Sequence, residues 1–158
     1  MSRRMSVSMT LDAVRERRKT VTRRHVDTWR NLKPGDRLTL IEKGMGLPKG
    51  AKQVVVAEVE VVDVSIEPIF AIERHGEIRR EGFDPYEWRP LEWATWWAGH
   101  HGYGVRIHPG TWTPVDPEDL DEIPCRRIEW RYLDHAETAT AERPAEPEGN
   151  GSTSEVTR

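Results

Sequence analysis

The stretch RRKTVTRR, Arg17 to Arg24, sets five cations in eight positions around two threonines. Cations at that density suit a phosphate contact or a solvated surface. Neither use requires Thr20-Val21-Thr22 at the centre, so the segment raises a chemical question. Lys19 either holds charge for a ligand or, beside a hydroxyl, takes part in chemistry. For phosphate binding the candidates are Arg17, Arg18, Lys19, Arg23 and Arg24, joined by Arg79 and Arg80 further along. Read as a plain edge strand, the same segment would use its threonines to favour the pleat and its cations to discourage edge pairing.

Other reactive groups are sparse. His100, His101, His108 and Cys125 share one half of the chain, but their spacing matches no regular zinc pattern. A lone cysteine before a strand reads as core, and no metal or cofactor is expected. GMGLPKG, with Lys43 and Lys49, lacks the spacing of a phosphate loop and reads as a hairpin loop.

The elements that must position these groups can be read from patterning. A chain of 158 residues fits one domain, and 36% hydrophobic against 32% charged residues implies a modest core under a charged surface. MSVSM suits a first strand; Thr10 is placed to cap a short helix with a thin apolar stripe of Leu11 and Val14. KTVTRRH reads as a strand or its entry, and LKPGDRLTLIE as a turn and a strand. In QVVVAEVEVVDVSIE, Val55, Ala57, Val59 and Val61 fall on one face, with Glu58 and Glu60 on the other. LEWATWWAGHHG is helical by the spacing of Trp93, Trp96 and Trp97, a core-facing set, and Gly99 or Gly102 ends it. In CRRIEWRYL, Ile128, Trp130 and Tyr132 point inward and Arg127, Glu129 and Arg131 outward. The Pro/Gly-rich run from His100 to Cys125 reads as a long loop. These elements predict a small α+β barrel over residues 1–133, with a short N-terminal helix and a late Trp-rich helix.

Charge is unevenly spread. Residues 1–37 carry eleven Lys/Arg against four Asp/Glu, whereas residues 134–158 carry two Arg against six Asp/Glu. The latter segment, rich in Ala, Glu, Pro, Ser, Thr and Gly, is expected to be a disordered acidic tail. No apolar run approaches the ~20 residues of a membrane helix. The N-terminus has no signal-peptide core and there is one cysteine, so a cytoplasmic protein is expected, with no membrane or protein partner.

The order of a short helix, RKTVTRR, LKPGD, a Val-rich strand, REGF, a Trp-rich helix and CRRIEWRYL resembles the ASCH domain family of PUA-like β-barrels over roughly residues 5–133. That resemblance implies binding of RNA or a nucleotide in a basic cleft formed by the KTVTRR and REGF segments. For some small bacterial members it implies an amidohydrolase that removes the acetyl group from N4-acetylcytidine. Carried onto this chain, the implied catalytic set is Lys19, Thr22 and Glu81, with Glu73, Glu77 and Glu87 close to the last of these. The implied ligand-binding set is Arg18, Thr20, Arg23, Arg24, Tyr86 and Trp88, the two aromatics as base-stacking groups.

In amide hydrolysis Thr22 would be the nucleophile, and Lys19 its base if burial and nearby cations depress the amine from ~10.4. A close Glu81 would instead raise it. Geometry adds a second tension: in a flat strand, residues 19 and 22 point to opposite faces.

Overall fold

In the computed structural model the described residues are 2–108, 111–113 and 115–134. Ten regular elements follow in order: β1 (Arg3–Ser6), α1 (Leu11–Arg15), β2 (Val21–His25), β3 (Arg37–Ile41), β4 (Val55–Pro68), α2 (Glu77–Arg80), α3 (Pro90–His100), β5 (Val105–His108), β6 (Thr111–Thr113) and β7 (Pro124–Tyr132). Five strands form one sheet in the order β1-β3-β4-β7-β2, curled into a half-barrel. β1 runs parallel to β3; the β3–β4, β4–β7 and β7–β2 pairs are antiparallel. This is the α+β architecture expected from the patterning. Among the described residues no helix is long and apolar enough to cross a membrane.

The short helix α1 begins after Thr10, which occupies the cap position without a capping side-chain bond. The chain then doubles back: Arg18 and Lys19 both donate their backbone N–H to Ala13 O, at 2.8 and 3.1 Å. Arg17 makes this reversal at φ +58°, a left-handed conformation that costs a non-glycine residue about 1 kcal/mol. Lys19 therefore lies on the turn leaving α1, before β2 begins.

The inner face of the sheet is apolar. Met5, Val7, Leu38, Leu40, Val59, Val61, Ile128 and Trp130 pack there with Val14 of α1 and Leu32. Each such side chain contributes on the order of 1.5–3 kcal/mol through burial. β4 keeps its expected alternation at Val59 and Val61, but Val55 is half exposed where the strand leaves the 42–54 hairpin loop. A register shift between Val61 and Asp63 then breaks the alternation. Bulges bend a strand and change which side chains share a face, and Glu67 is buried as a result.

A second apolar cluster lies outside the sheet. α3 contributes Trp93, Ala94, Trp97 and Ala98, packed against Ile69, Ile72, Ile78, Leu120, Ile123 and Cys125. Pro90 in the first turn, with Arg89 and Glu92 capping, starts α3; His101 ends it, followed by Gly102 at φ +81°. The run read as one long loop instead carries a small two-stranded hairpin, β5–β6, and a 3₁₀ turn at Pro117–Asp121. Apart from Asp134, the expected acidic tail lies outside the described residues.

Candidate active site

Because β1 and β2 end the sheet on opposite sides, the curl brings two free edges toward each other. Arg24 Nη2 on β2 donates to Ser6 O on β1 at 2.7 Å across that seam. Beside this link lies a cavity of about 200 Å³, where Lys19, Thr22 and Glu81 all contribute to the wall. Three polar groups from the turn after α1, from β2 and from the segment after α2 thus meet in one hollow. The parity problem disappears because Lys19 is not in the strand.

Lys19 is 3% exposed. Its Nζ donates to the Glu81 backbone carbonyl and lies 3.5 Å from Glu81 Oε1. It also sits 5.9 Å from the centre of the Trp130 ring. Burial lowers its pKa to about 8, aided by Arg24 and Arg23, against the opposing pull of Glu81. The competition between desolvation and the carboxylate is therefore won by desolvation. Thr22, paired with Ile128 in the β2–β7 ladder, is buried against the same cavity.

Glu81 is held by one residue twice. Arg23 N donates to Oε1 at 2.9 Å and Arg23 Nη1 to Oε2 at 3.0 Å. Gly82 next to it has φ +97°, and a Cβ there would come within 3.0 Å of Thr10 Cβ. Glycine alone lets the chain turn this tightly under α1, which fixes Glu81 and Phe83 at the cavity. Among the nearby glutamates, Glu87 lines an outer groove and Glu77 belongs to an ionic layer described below; of these, Glu81 is the one at the cavity.

The residues expected to contact a ligand fall in different surroundings. Arg23 borders the cavity, but its side chain is fully buried, and besides Glu81 it donates to Glu67 at 2.8 and 3.1 Å and to Glu77. Burial would lower the Arg23 guanidinium, but Glu81, Glu77 and Glu67 together hold it above its ordinary value. Thr20 is structural, accepting from Arg80 Nε at 3.1 Å while its N–H donates to Arg80 O at 2.8 Å. Arg18 pairs with Glu16 and lies with Arg79 along the outer groove, where Asp12, Glu16, Asp84 and Glu87 also sit. The outer groove is therefore of mixed charge, whereas the cavity itself is lined by Lys19, Thr22, Arg23 and Arg24 of KTVTRR and by Glu81 and Phe83 of REGF. Tyr86 is 98% exposed on this groove. Trp88 is spent in edge-on contacts with Phe83 and Trp96 at 5.4 and 5.5 Å. Neither reaches the cavity.

Arg24 does line the cavity, and burial lowers its guanidinium below the ordinary value. Its Nε has no hydrogen-bond partner among the described residues.

The aromatic wall comes from elsewhere. Phe83, Trp93, Trp96, Trp97 and His101 line the cavity. Trp97 Nε1 donates to Arg23 O at 3.1 Å, and the His101 ring stacks on Trp97 at 3.8 Å. His101 Nδ1 bonds Trp97 O at 2.8 Å, and burial lowers the pKa of the imidazole. Trp93 and Trp97 are buried in the core as expected and Trp96 is partly buried against it, and the helical face they share also borders the cavity. Tyr86 and Trp88, beside REGF, line the outer groove, whereas the helix-spaced tryptophans line the cavity.

The outward face of β7 is solvent-facing at Arg131, as expected, and half-buried at Glu129, but not at Arg127. Arg127 is buried, donating to Glu77 from Nε and Nη2, both at 3.1 Å, and to Glu129 at 2.8 Å. Burial would raise Glu77, but Arg127 and Arg23 bring it down to about 2. Arg74 and Arg80 complete the layer at its rim, bonding Glu67 and Glu77 at 3.0 and 3.2 Å. No cluster of three metal-ligating side chains occurs among the described residues. The His108 side chain lies outside them. Cys125 is buried, and its thiol is pushed up to about 12, mainly by burial.

Two solved structures are similar in fold. One is the hypothetical protein PH0355, with 18% identity, a TM-score of 0.50, and coverage of 84% of this chain and 100% of that one. Another is EF3133 from Enterococcus faecalis V583, assigned to DUF984, with 11% identity, a TM-score of 0.51, and coverage of 85% and 82%. At these identities the likeness concerns the small barrel-like fold alone. No family model and no curated protein matches the chain significantly.

Proposed function

We propose that this chain is an ASCH-like amidohydrolase whose cavity takes one acylated heterocycle, of the N4-acylcytidine type, and releases the acyl group. The observation that carries this reading is the shared cavity of Lys19, Thr22 and Glu81, with the lysine buried and its pKa lowered to about 8. A surface lysine near 10.4 is protonated at neutral pH and a poor base; one near 8 supplies a useful neutral fraction. The size also fits. A cavity of about 200 Å³ gives room for a planar ring against tryptophan faces.

In this mechanism the Thr22 hydroxyl attacks the amide carbonyl and Lys19 Nζ takes its proton. The tetrahedral oxyanion faces the Arg24 guanidinium, a fixed cation on the cavity wall. Lys19 then returns the proton to the departing exocyclic amine, leaving an acyl ester on Thr22. Water, deprotonated by the same lysine, cleaves that ester and restores the site. Both Glu81 oxygens already accept from Arg23, so its task is to orient Lys19 and stabilise the transient ammonium. Polyanion binding is less well supported, since Arg23 is committed to three carboxylates and the outer groove is mixed in charge.

The test is conversion of N4-acetylcytidine to cytidine by the purified protein. Turnover by the wild type with loss in Lys19→Ala and Thr22→Ala is expected. Absence of turnover across a panel of N4-acylcytidines and free acylcytosines overturns the enzyme reading, and turnover surviving both substitutions overturns the residue roles.

A further inference from the structure

Arg23 follows the proposed nucleophile directly, yet its side chain is fully buried and points away from solvent into carboxylates. It engages Glu81 through two different groups, its backbone N–H and Nη1, one on each oxygen. Its remaining donors are fixed as well: Nε and Nη2 on Glu67, Nη2 also on Glu77. Glu77 in turn is clamped by Arg127 from β7, and the Arg23 carbonyl receives Trp97 Nε1 from α3. Few side chains have so little freedom. A guanidinium gripped by two carboxylates, Glu67 and Glu77, is a rigid mount for the third, Glu81.

We infer that Arg23 is the positioning residue of this site: it fixes the Glu81 carboxylate at Lys19 and offsets the charge that Glu81 presents to the amine. The inference rests on the proposed role of Lys19, though not on the identity of the substrate.

The charges facing Lys19 come from several elements. Arg23 and Arg24 lie on β2, Glu81 follows α2, and His101 follows α3 on the same cavity wall; the Trp130 ring of β7 lies beneath. Around Arg23 stand Glu67 of β4, Glu77 of α2, Glu81, and the like charge of Arg127 on β7. Removing the Arg23 charge acts on Lys19 in two ways with the same sign. A repelling cation disappears, and Glu81 loses the partner that absorbs its field. Both changes favour the ammonium, so Lys19 becomes harder to deprotonate.

A second effect concerns geometry. A lysine at position 23 keeps the charge and the backbone N–H but cannot reproduce the forked contacts to Glu81, Glu67 and Glu77. It therefore separates charge from orientation. Arg23→Lys is expected to hold the Lys19 titration near its native midpoint while lowering kcat, with KM little changed.

The experiment titrates Lys19 itself, by the pH dependence of its modification with an amine-reactive reagent, located by peptide mass mapping. The proteins are the wild type, Arg23→Gln and Arg23→Lys. In Arg23→Gln the midpoint is expected to move up by about one pH unit, and in Arg23→Lys by no more than a few tenths. A folded Arg23→Gln protein with an unmoved midpoint overturns the inference. Should Arg23→Gln not fold, Arg23→Gln with Glu67→Gln removes one cation and one carboxylate together, and its midpoint decides in the same way. The readout needs no substrate. A moved midpoint without turnover of acylcytidines would therefore sink the amidohydrolase reading and leave the role of Arg23 standing.

Discussion

The two faces of β7 are made of opposite chemistry. On one, Ile128 and Trp130 join the apolar interior of the half-barrel; on the other, Arg127 enters a buried layer with Arg23, Glu67 and Glu77. The apolar face is non-directional and tolerant, and supplies stability in proportion to area buried. On the ionic face desolvation of each charge offsets part of its attraction, so stability there depends on every partner being in place. What this face does supply is orientation: each guanidinium and carboxylate has a fixed set of partners, and the last of them, Glu81, reaches the cavity. One face holds the fold together and the other fixes side-chain positions at the cavity wall.

Four measurements would break or sharpen this contrast. The largest effect belongs to the cavity: Lys19→Ala and Thr22→Ala are each expected to lower acylcytidine turnover by ~10²–10⁴-fold. Thermal melting should show Lys19→Ala as stable as the wild type or more so. Lys19 costs stability below about pH 8, where the folded state must bury the ammonium, and the cost fades as pH rises toward 10.5. A large loss of stability on removing Lys19 would contradict this picture.

Next comes the apolar face. Trp130→Ala should cost ~3–5 kcal/mol in denaturant unfolding, the range for deleting a buried tryptophan. Trp130 is 2% exposed and central to the inner cluster.

A smaller loss, about 2 kcal/mol, is expected for Glu77→Gln, which keeps the shape but weakens charge-assisted bonds to two arginines. The wild type should show the matching pH dependence. With Glu77 lowered from 4.5 to about 2 in the folded state, its roughly 3 kcal/mol is fully present above the unfolded value and lost as pH falls from about 4.5 toward 2. Glu77→Gln should flatten that acid limb. An unchanged limb would show that the ionic layer is not what acid attacks.

The last effect is graded, since each step of pH changes the rate only in proportion. Turnover should rise as pH increases through about 8, tenfold per unit on the acidic side, as the neutral form of Lys19 accumulates. A rate flat between pH 6 and 9 would remove Lys19 as the base.

Much of the apolar face was legible in the sequence, because alternation in a strand marks its buried residues directly. Val59, Val61, Ile128 and Trp130 all fell where period two placed them. Lys19 and Thr22 were legible as a motif, and Glu81 through REGF. The ionic face was not. Arg23 and Arg127 stand in runs that alternate or accumulate charge, and charge in a strand reads as solvent-facing unless its partners are known. Those partners, Glu67 and Glu77, are 44 and 54 residues from Arg23. Glu67 becomes buried beyond a register shift that a period-two count passes over. The mount of the site was hidden for a physical reason: its pairing is long-range, and it satisfies charge with charge.

The seam between β1 and β2 has a kinetic consequence. The two strands belong to different ladders, β1 with β3 and β2 with β7, so parting them breaks no inter-strand rung. Swinging Arg24 off Ser6 would widen the mouth while the apolar interior stays shut. A small molecule entering or leaving at this seam thus needs only local breathing there, with the sheet itself intact.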